Sequence, residues 1–144
     1  MLMLDLTAKA SDVRQNFSEY VDTVVHDHPV FVIRNRHLFV WLNPEQLAAL
    51  LDGVTFHTEL EVNENKECIA TITEIEDIVV SGETREVALL NMAQLMREYA
   101  EEYLTTSFKL FFNAPNRRCH FPYVLKIALQ TSLDDIVGLL NAGD

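Results

Sequence analysis

The sequence predicts an α/β (α+β) protein in two parts: a β-α-β-β-α module, then a strand-strand-helix module with extra C-terminal helices. Two observations carry this. Short β-branched or alternating runs interleave with stretches of helical periodicity. One such series closes at Gly53, and a fresh alternating pattern begins after Val54.

The elements follow in order. Met1–Leu6 alternates around Asp5 and reads as a short strand. Ser11, or alternatively Thr7, supplies a cap for a helix whose apolar face is Val13, Phe17, Tyr20, Val21 and Val24. Pro29 stops that helix. Val30–Ile33 and Leu38–Leu42 are β-rich runs parted by Arg34-Asn35-Arg36-His37, which predicts a hairpin. No Asn-Gly turn is present, but Asn35 accepts a left-handed conformation. Asn43-Pro44 opens a helix through Asp52, with Gly53 as its terminator. Beyond it, 56–62 and 68–73 alternate around a turn at 63–66, and 75–80 continues extended. Ser81-Gly82 breaks the run. Thr84 caps a long helix with Val87, Leu89, Met92, Ala93, Met96, Tyr99, Ala100 and Tyr103 on its apolar face. That stripe reads as core, with a methionine-lined partner groove as the alternative. Phe108–Phe112 is either a strand or the end of this helix. Pro122 opens a further helix over 123–130. Ser132 and Asp135 resemble a capping box for a last helix that Gly143 ends.

Composition excludes several classes. The chain has 144 residues, 49 % of them apolar and 23 % charged, which is globular and far from the disordered regime. The only cysteines, Cys68 and Cys119, rule out a disulfide framework and a four-cysteine zinc module. No apolar run is long enough to span a membrane, and the N-terminus lacks the pattern of a signal peptide, so a cytoplasmic protein is expected. The net charge is −11, a field that repels nucleic acid at long range. It is unevenly spread. In residues 1–54, Lys9, Arg14, Arg34 and Arg36 oppose seven acids, for −3; residues 55–144 carry −8.

Arg14-Gln-Asn16-Phe-Ser-Glu19, the strands at 30–34 and 38–42 and the helix 44–51 resemble the prevent-host-death (Phd/YefM) antitoxins, whose first helix shows an Arg-x-Asn-hydrophobic-Ser pattern. The hairpin turn here is shorter and lacks glycine, and no disordered toxin-wrapping tail follows. The paired strands and Val80-Ser-Gly-Glu-Thr-Arg-Glu-Val-Ala-Leu89 resemble the partial ribonuclease-H fold of HicB antitoxins. Together the resemblances imply a dimerising, DNA-binding domain over 1–53 and a toxin-neutralising domain over 54–144. They imply an antitoxin that binds a cognate toxin and represses its own operon as a homodimer, with no catalysis and no cofactor. An acidic second domain suits a basic toxin, such as a ribonuclease that must hold RNA. No family is assigned to residues 108–144.

On this reading Arg14, Asn16, Arg34 and Arg36 face operator DNA, with Lys9 a weaker candidate at the helix start. Arginine grips phosphates and pairs bidentately with guanine. The plain alternative is that these arginines offset Asp12, Glu19 and Asp27 on a solvated surface. Other pairings carry less. His26-Asp27-His28 has no third ligand nearby and reads as a solvated helix end. Cys119-His120 lacks a third member for nucleophilic catalysis, and Arg117-Arg118 beside it reads as an exposed pair facing acidic surface. Glu74, Glu76 and Asp77 are the residues a metal-dependent nuclease would use, but strand alternation sends neighbours to different faces. That nuclease, and an orphan dimer that has lost DNA contact, are the rival readings.

Overall fold

The computed structural model describes residues 6–141 and divides the backbone into two compact units, Met1–Leu50 and Leu51–Asp144. It is a mixed α/β protein, with two three-stranded sheets and seven α-helices among the described residues. Among the described residues no helix is long and apolar enough to cross a membrane.

The first unit runs β1 (Thr7–Lys9), α1 (Ala10–Gln15), α2 (Phe17–His26), β2 (Val30–Arg34), β3 (His37–Trp41) and α3 (Pro44–Leu50). The strand expected over Met1–Leu6 lies outside the described residues apart from Leu6. β1 runs parallel to β2, and β2 antiparallel to β3, so α1 and α2 form the crossover that a parallel pair requires. Periodicity predicted one helix here; there are two. Asn16 leaves helical geometry at φ −122, and its side-chain amide donates to the Asp12 carbonyl at 3.2 Å. Neither Ser11 nor Thr7 caps the helix. The chain passes directly from β1 into α1 with Lys9 at the cap position and no side-chain bond.

The core of this unit is small. Val13, Val24, Val30 and Val32 are buried, with Ala8, Ala10, Tyr20 and Trp41 packed around them. Phe17, expected on the apolar face, is 57 % exposed and meets Trp41 edge-on at 6.0 Å; the break at Asn16 interrupts the periodicity that had placed it inside. In the hairpin, Arg34 pairs with His37 and Asn35 adopts φ 57, the left-handed conformation its short polar side chain tolerates. Asn43 Oδ1 accepts from the Gln46 amide at 2.7 Å, while Gln46 Oε1 accepts from the Asn43 amide at 3.1 Å. The same asparagine donates from Nδ2 to the Val24 carbonyl at 2.9 Å, satisfying the end of α2. Gly53 is not the terminator expected: α3 ends at Leu50, Gly53 does not have positive φ, and a Cβ on it would meet nothing within 4 Å.

The second unit runs β4 (Thr58–Val62), β5 (Cys68–Ile72), β6 (Ile75–Gly82), α4 (Arg85–Leu104), α5 (Phe108–Asn113), a 3-10 turn at Arg118–His120, α6 (Phe121–Ala128) and α7 (Leu133–Asn141). The strands form an antiparallel meander in sequence order. Ala70, Ile72, Ile75 and Ile78 of the sheet share one core with Ala88, Leu89, Met92, Ala93 and Met96 of α4, and with Val124, Ile127, Ile136 and Leu140 of α6 and α7. Met92 and Met96 are therefore core, not a partner groove. The Thr84 hydroxyl caps α4 by accepting from the Val87 amide at 3.1 Å. Val87 itself is 42 % exposed, and Ala88 is buried in its place.

Gly82 permits the turn from β6 into α4. A Cβ there would sit 2.5 Å from the Ala88 backbone nitrogen, so strand end and helix start approach backbone to backbone. Phe108–Asn113 is a separate helix, neither a strand nor the end of α4. Pro122 lies in the first turn of α6. Ser132 Oγ accepts from the Asp135 amide at 3.1 Å, and the Asp135 carboxylate reaches back to Thr131 and Ser132, whose hydrogen bonds lower its pKa, as in a capping box. Gly143 lies outside the described residues. Lys126 Nζ donates to the carbonyls of Leu51 and Val54, fixing the entry segment of this unit onto α6.

Candidate functional site

In the first unit, three of the five residues singled out for DNA contact converge. Lys9 at the end of β1, Arg14 on α1 and Arg34 at the end of β2 line one open depression of about 820 Å³ with Ala10, Ser11, Ile33, Asn35 and Phe39. The parallel β1–β2 pairing brings this about: Lys9 is in register with Ile33, next to Arg34, and α1 begins at the following residue. Among the described residues no acid lines the depression, so Lys9, Arg14 and Arg34 form a local concentration of cations on a chain of net charge −11. Arg36 is exposed in the turn and Asn16 is exposed with its amide bonded to Asp12; neither lines the depression. Ser11, Asn35 and Phe39 were not singled out, because no local pattern shows that they border the cations.

The hairpin also presents an apolar face. The register sets Phe31 opposite Val40 and Ile33 opposite Leu38, so these four share the face turned away from Val30 and Val32. Ile33 is 36 % exposed, and Leu38 and Val40 are each 44 % exposed.

In the second unit, the Arg117-Arg118 pair is fully engaged. Arg117 lies over the Phe111 ring at 4.4 Å, donates to Tyr99 Oη at 3.3 Å and pairs with Asp77 at 3.4 Å. Arg118 lies over Phe112 at 4.4 Å. These rings belong to an aromatic cluster around Tyr103 that includes Tyr99, Phe108, Phe111 and Phe121. The Cys119-His120 neighbours diverge. Cys119 is exposed, whereas His120 is buried and its Nδ1 lies 2.7 Å from Tyr99 Oη.

Tyr99 Oη accepts from Arg117 and lies 2.7 Å from His120 Nδ1, with the direction of that second bond following the histidine tautomer. Burial lowers the His120 pKa, and Arg117 lowers it further against the opposing pull of Asp77 and Glu76. Burial likewise raises Tyr99 and Tyr103. A depressed histidine pKa means the unfolded chain binds the proton more readily. The stability contributed by neutral His120 is thus complete above the ordinary histidine value of about 6.5 and is lost as pH falls below it. The urea midpoint should drop between pH 7.5 and 5.5, and His120→Gln should flatten that interval. An equal drop in the variant would place the loss elsewhere.

The acids weighed for nuclease chemistry are dispersed. Glu74 accepts from the His57 amide at 2.6 Å and lies 3.0 Å from His57 Nδ1, Asp77 pairs with Arg117, and Glu76 is exposed. Simple alternation fails here, since Glu76 and Asp77 are both exposed; a register shift at Thr71/Ile72 bends the start of β6. Among the described residues no three His, Cys, Asp or Glu side chains are grouped to hold a metal ion. His26 and His28 are exposed, with His28 Nδ1 2.8 Å from the Pro29 carbonyl.

Residues 3–142 match the PHD-like family, described as antitoxin of toxin-antitoxin, RelE / RelB, TA system. The chain is also similar to a crystal structure, at 1.80 Å resolution, presented as an antitoxin part of a candidate toxin/antitoxin system from Syntrophomonas wolfei subsp. wolfei. Identity is 40 % and the TM-score 0.84, over 93 % of this chain and 95 % of that one. No curated protein matches the sequence. This chain thus belongs to the PHD-like family of toxin–antitoxin antitoxins. It is a non-enzymatic antitoxin, and a cognate toxin is implied as its partner.

Proposed function

We propose that this antitoxin neutralises its toxin through residues 54–144 and represses its own operon through residues 1–53, as a homodimer on operator DNA. The observation that carries the repressor half is the depression lined by Lys9, Arg14 and Arg34, with no acid among its described lining residues. Salt screens the repulsion of the remaining charge over about 8 Å, so a local cation cluster can grip phosphates once in contact. The exposed face of Phe31, Ile33, Leu38 and Val40 supports dimerisation, since an apolar patch of this kind marks an interface. The Phd/YefM likeness of the first part and the HicB likeness of the second agree with this division. A basic toxin suits the acidic second part.

Gel-shift titration of the full chain on the DNA upstream of its own gene tests the repressor half. Arg14→Ala with Arg34→Ala should weaken binding by at least ~100-fold and reduce the salt slope, at ~1–3 kcal/mol per lost base contact and about 0.9 in slope per lost phosphate contact. Both side chains are exposed, so folding should be retained. Unchanged binding would remove the DNA assignment. A parent chain without preference for its own promoter would leave an orphan dimer.

A further inference from the structure

A groove of about 400 Å³ lies between the start of β6 and α4. Its floor is apolar and aromatic, from Ile78, Leu95 and Tyr99, and its rim is acidic, from Asp77, Glu98 and Glu102. Arg117 also lines it but is already held by Asp77 and by the Tyr99 and Phe111 rings. Glu98 accepts from Gln94 at 3.0 Å and Glu102 from Ser107 at 3.1 Å, each through one oxygen. Each carboxylate therefore keeps acceptor capacity toward the groove.

We propose that this groove receives a lysine- or arginine-bearing segment of the toxin, the aliphatic stem lying on the floor and the charged head reaching Glu98 and Glu102. The proposal rests on the reading that residues 54–144 bind the toxin. Charge selects the occupant. Nucleic acid and the bulk of a second copy of this chain, itself at −11, are repelled by the rim, whereas a cationic side chain with a long apolar stem matches both floor and rim.

The test measures affinity of the full chain for the purified product of the reading frame adjoining its gene. Glu98→Lys with Glu102→Lys should raise Kd by at least ~100-fold, with the largest effect at low salt, because close charge pairs across an interface are reversed. Glu98→Gln with Glu102→Gln should shift Kd the same way by about 10-fold. Circular dichroism should show the parent fold in both, as both glutamates are exposed. Glu59→Lys with Glu61→Lys, on β4, changes net charge equally and should move Kd less than ~3-fold if the groove is the site. If the parent binds and the groove variants bind as tightly, or if the β4 variant loses as much, the groove assignment is wrong while toxin binding stands. If the groove variants instead change only the oligomeric mass of the chain, a second copy occupies the groove and the proposal falls. If the parent itself does not bind, the toxin-binding reading fails, and the groove proposal with it.

Discussion

Tyr103→Ala should cost the second unit about 3–5 kcal/mol, the range for deleting a large buried aromatic. Tyr103 is fully buried, and its ring centroid lies 5.5–6.4 Å from those of Tyr99, Phe108, Phe111 and Phe121. Its hydroxyl donates to the Arg117 carbonyl at 2.7 Å. Truncation would empty the centre of the cluster and remove that hydrogen bond, leaving the carbonyl with only the His120 amide at 3.0 Å. The melting temperature should fall by at least ~12 °C at the usual ~4–8 °C per kcal/mol for a unit of this size. Tyr103→Phe separates the two causes: it keeps the ring and loses only the hydrogen bond, so it should cost about 1–2 kcal/mol. Chemical denaturation of both variants checks this. A loss below ~1 kcal/mol for Tyr103→Ala would mean that the cluster does not hold α5 and α6 to α4.

Leu38→Glu with Val40→Glu should dissociate the proposed dimer, raising its dissociation constant by at least ~1,000-fold, or about 4 kcal/mol. The two positions lie on the exposed apolar face of the hairpin. An interface through that face would bury four new carboxylates per dimer without partners, which binding cannot offset. Light scattering should give the parent twice the 16.5 kDa chain mass and the variant one chain mass. Trp41, the one tryptophan of the chain, is half-buried on the inner side of the hairpin, so its fluorescence reports whether the first unit remains folded. A parent chain that scatters as a monomer at micromolar concentration would end the dimer proposal. A folded variant that stays dimeric would move the interface to another surface.

Much of the fold could be read from local pattern. Thr84 announced α4 because its hydroxyl satisfies an orphan amide three residues on. Asn43-Pro44 announced α3 for the same reason. The failures are equally physical. Helical periodicity continues across Asn16, so nothing local reveals that the chain leaves helical geometry there. Phe108–Phe112 has strand propensity, yet its rings find partners only by packing as α5 against Tyr103 and Phe121. At the cationic depression, the Phd/YefM resemblance pointed to Lys9, Arg14 and Arg34, but the β1–β2 register that gathers them spans more than twenty residues. The Asp77–Arg117–Tyr99–His120 set was further out of reach, because its members come from β6, α4 and the segment around the 3-10 turn.

The two units differ sharply in how much they bury. Among the described residues, four side chains are buried at the centre of the first, against seventeen in the core of the second. Opening free energies follow buried contacts, so the first unit is the low-stability end of the chain. Its backbone amides should exchange with solvent first, and it is where a protease gains its initial foothold. Whatever occupies the hairpin face or the cationic depression closes that opening by mass action. On the proposed dimer and operator readings, occupancy of the first unit, Met1–Leu50, should slow proteolysis of the chain.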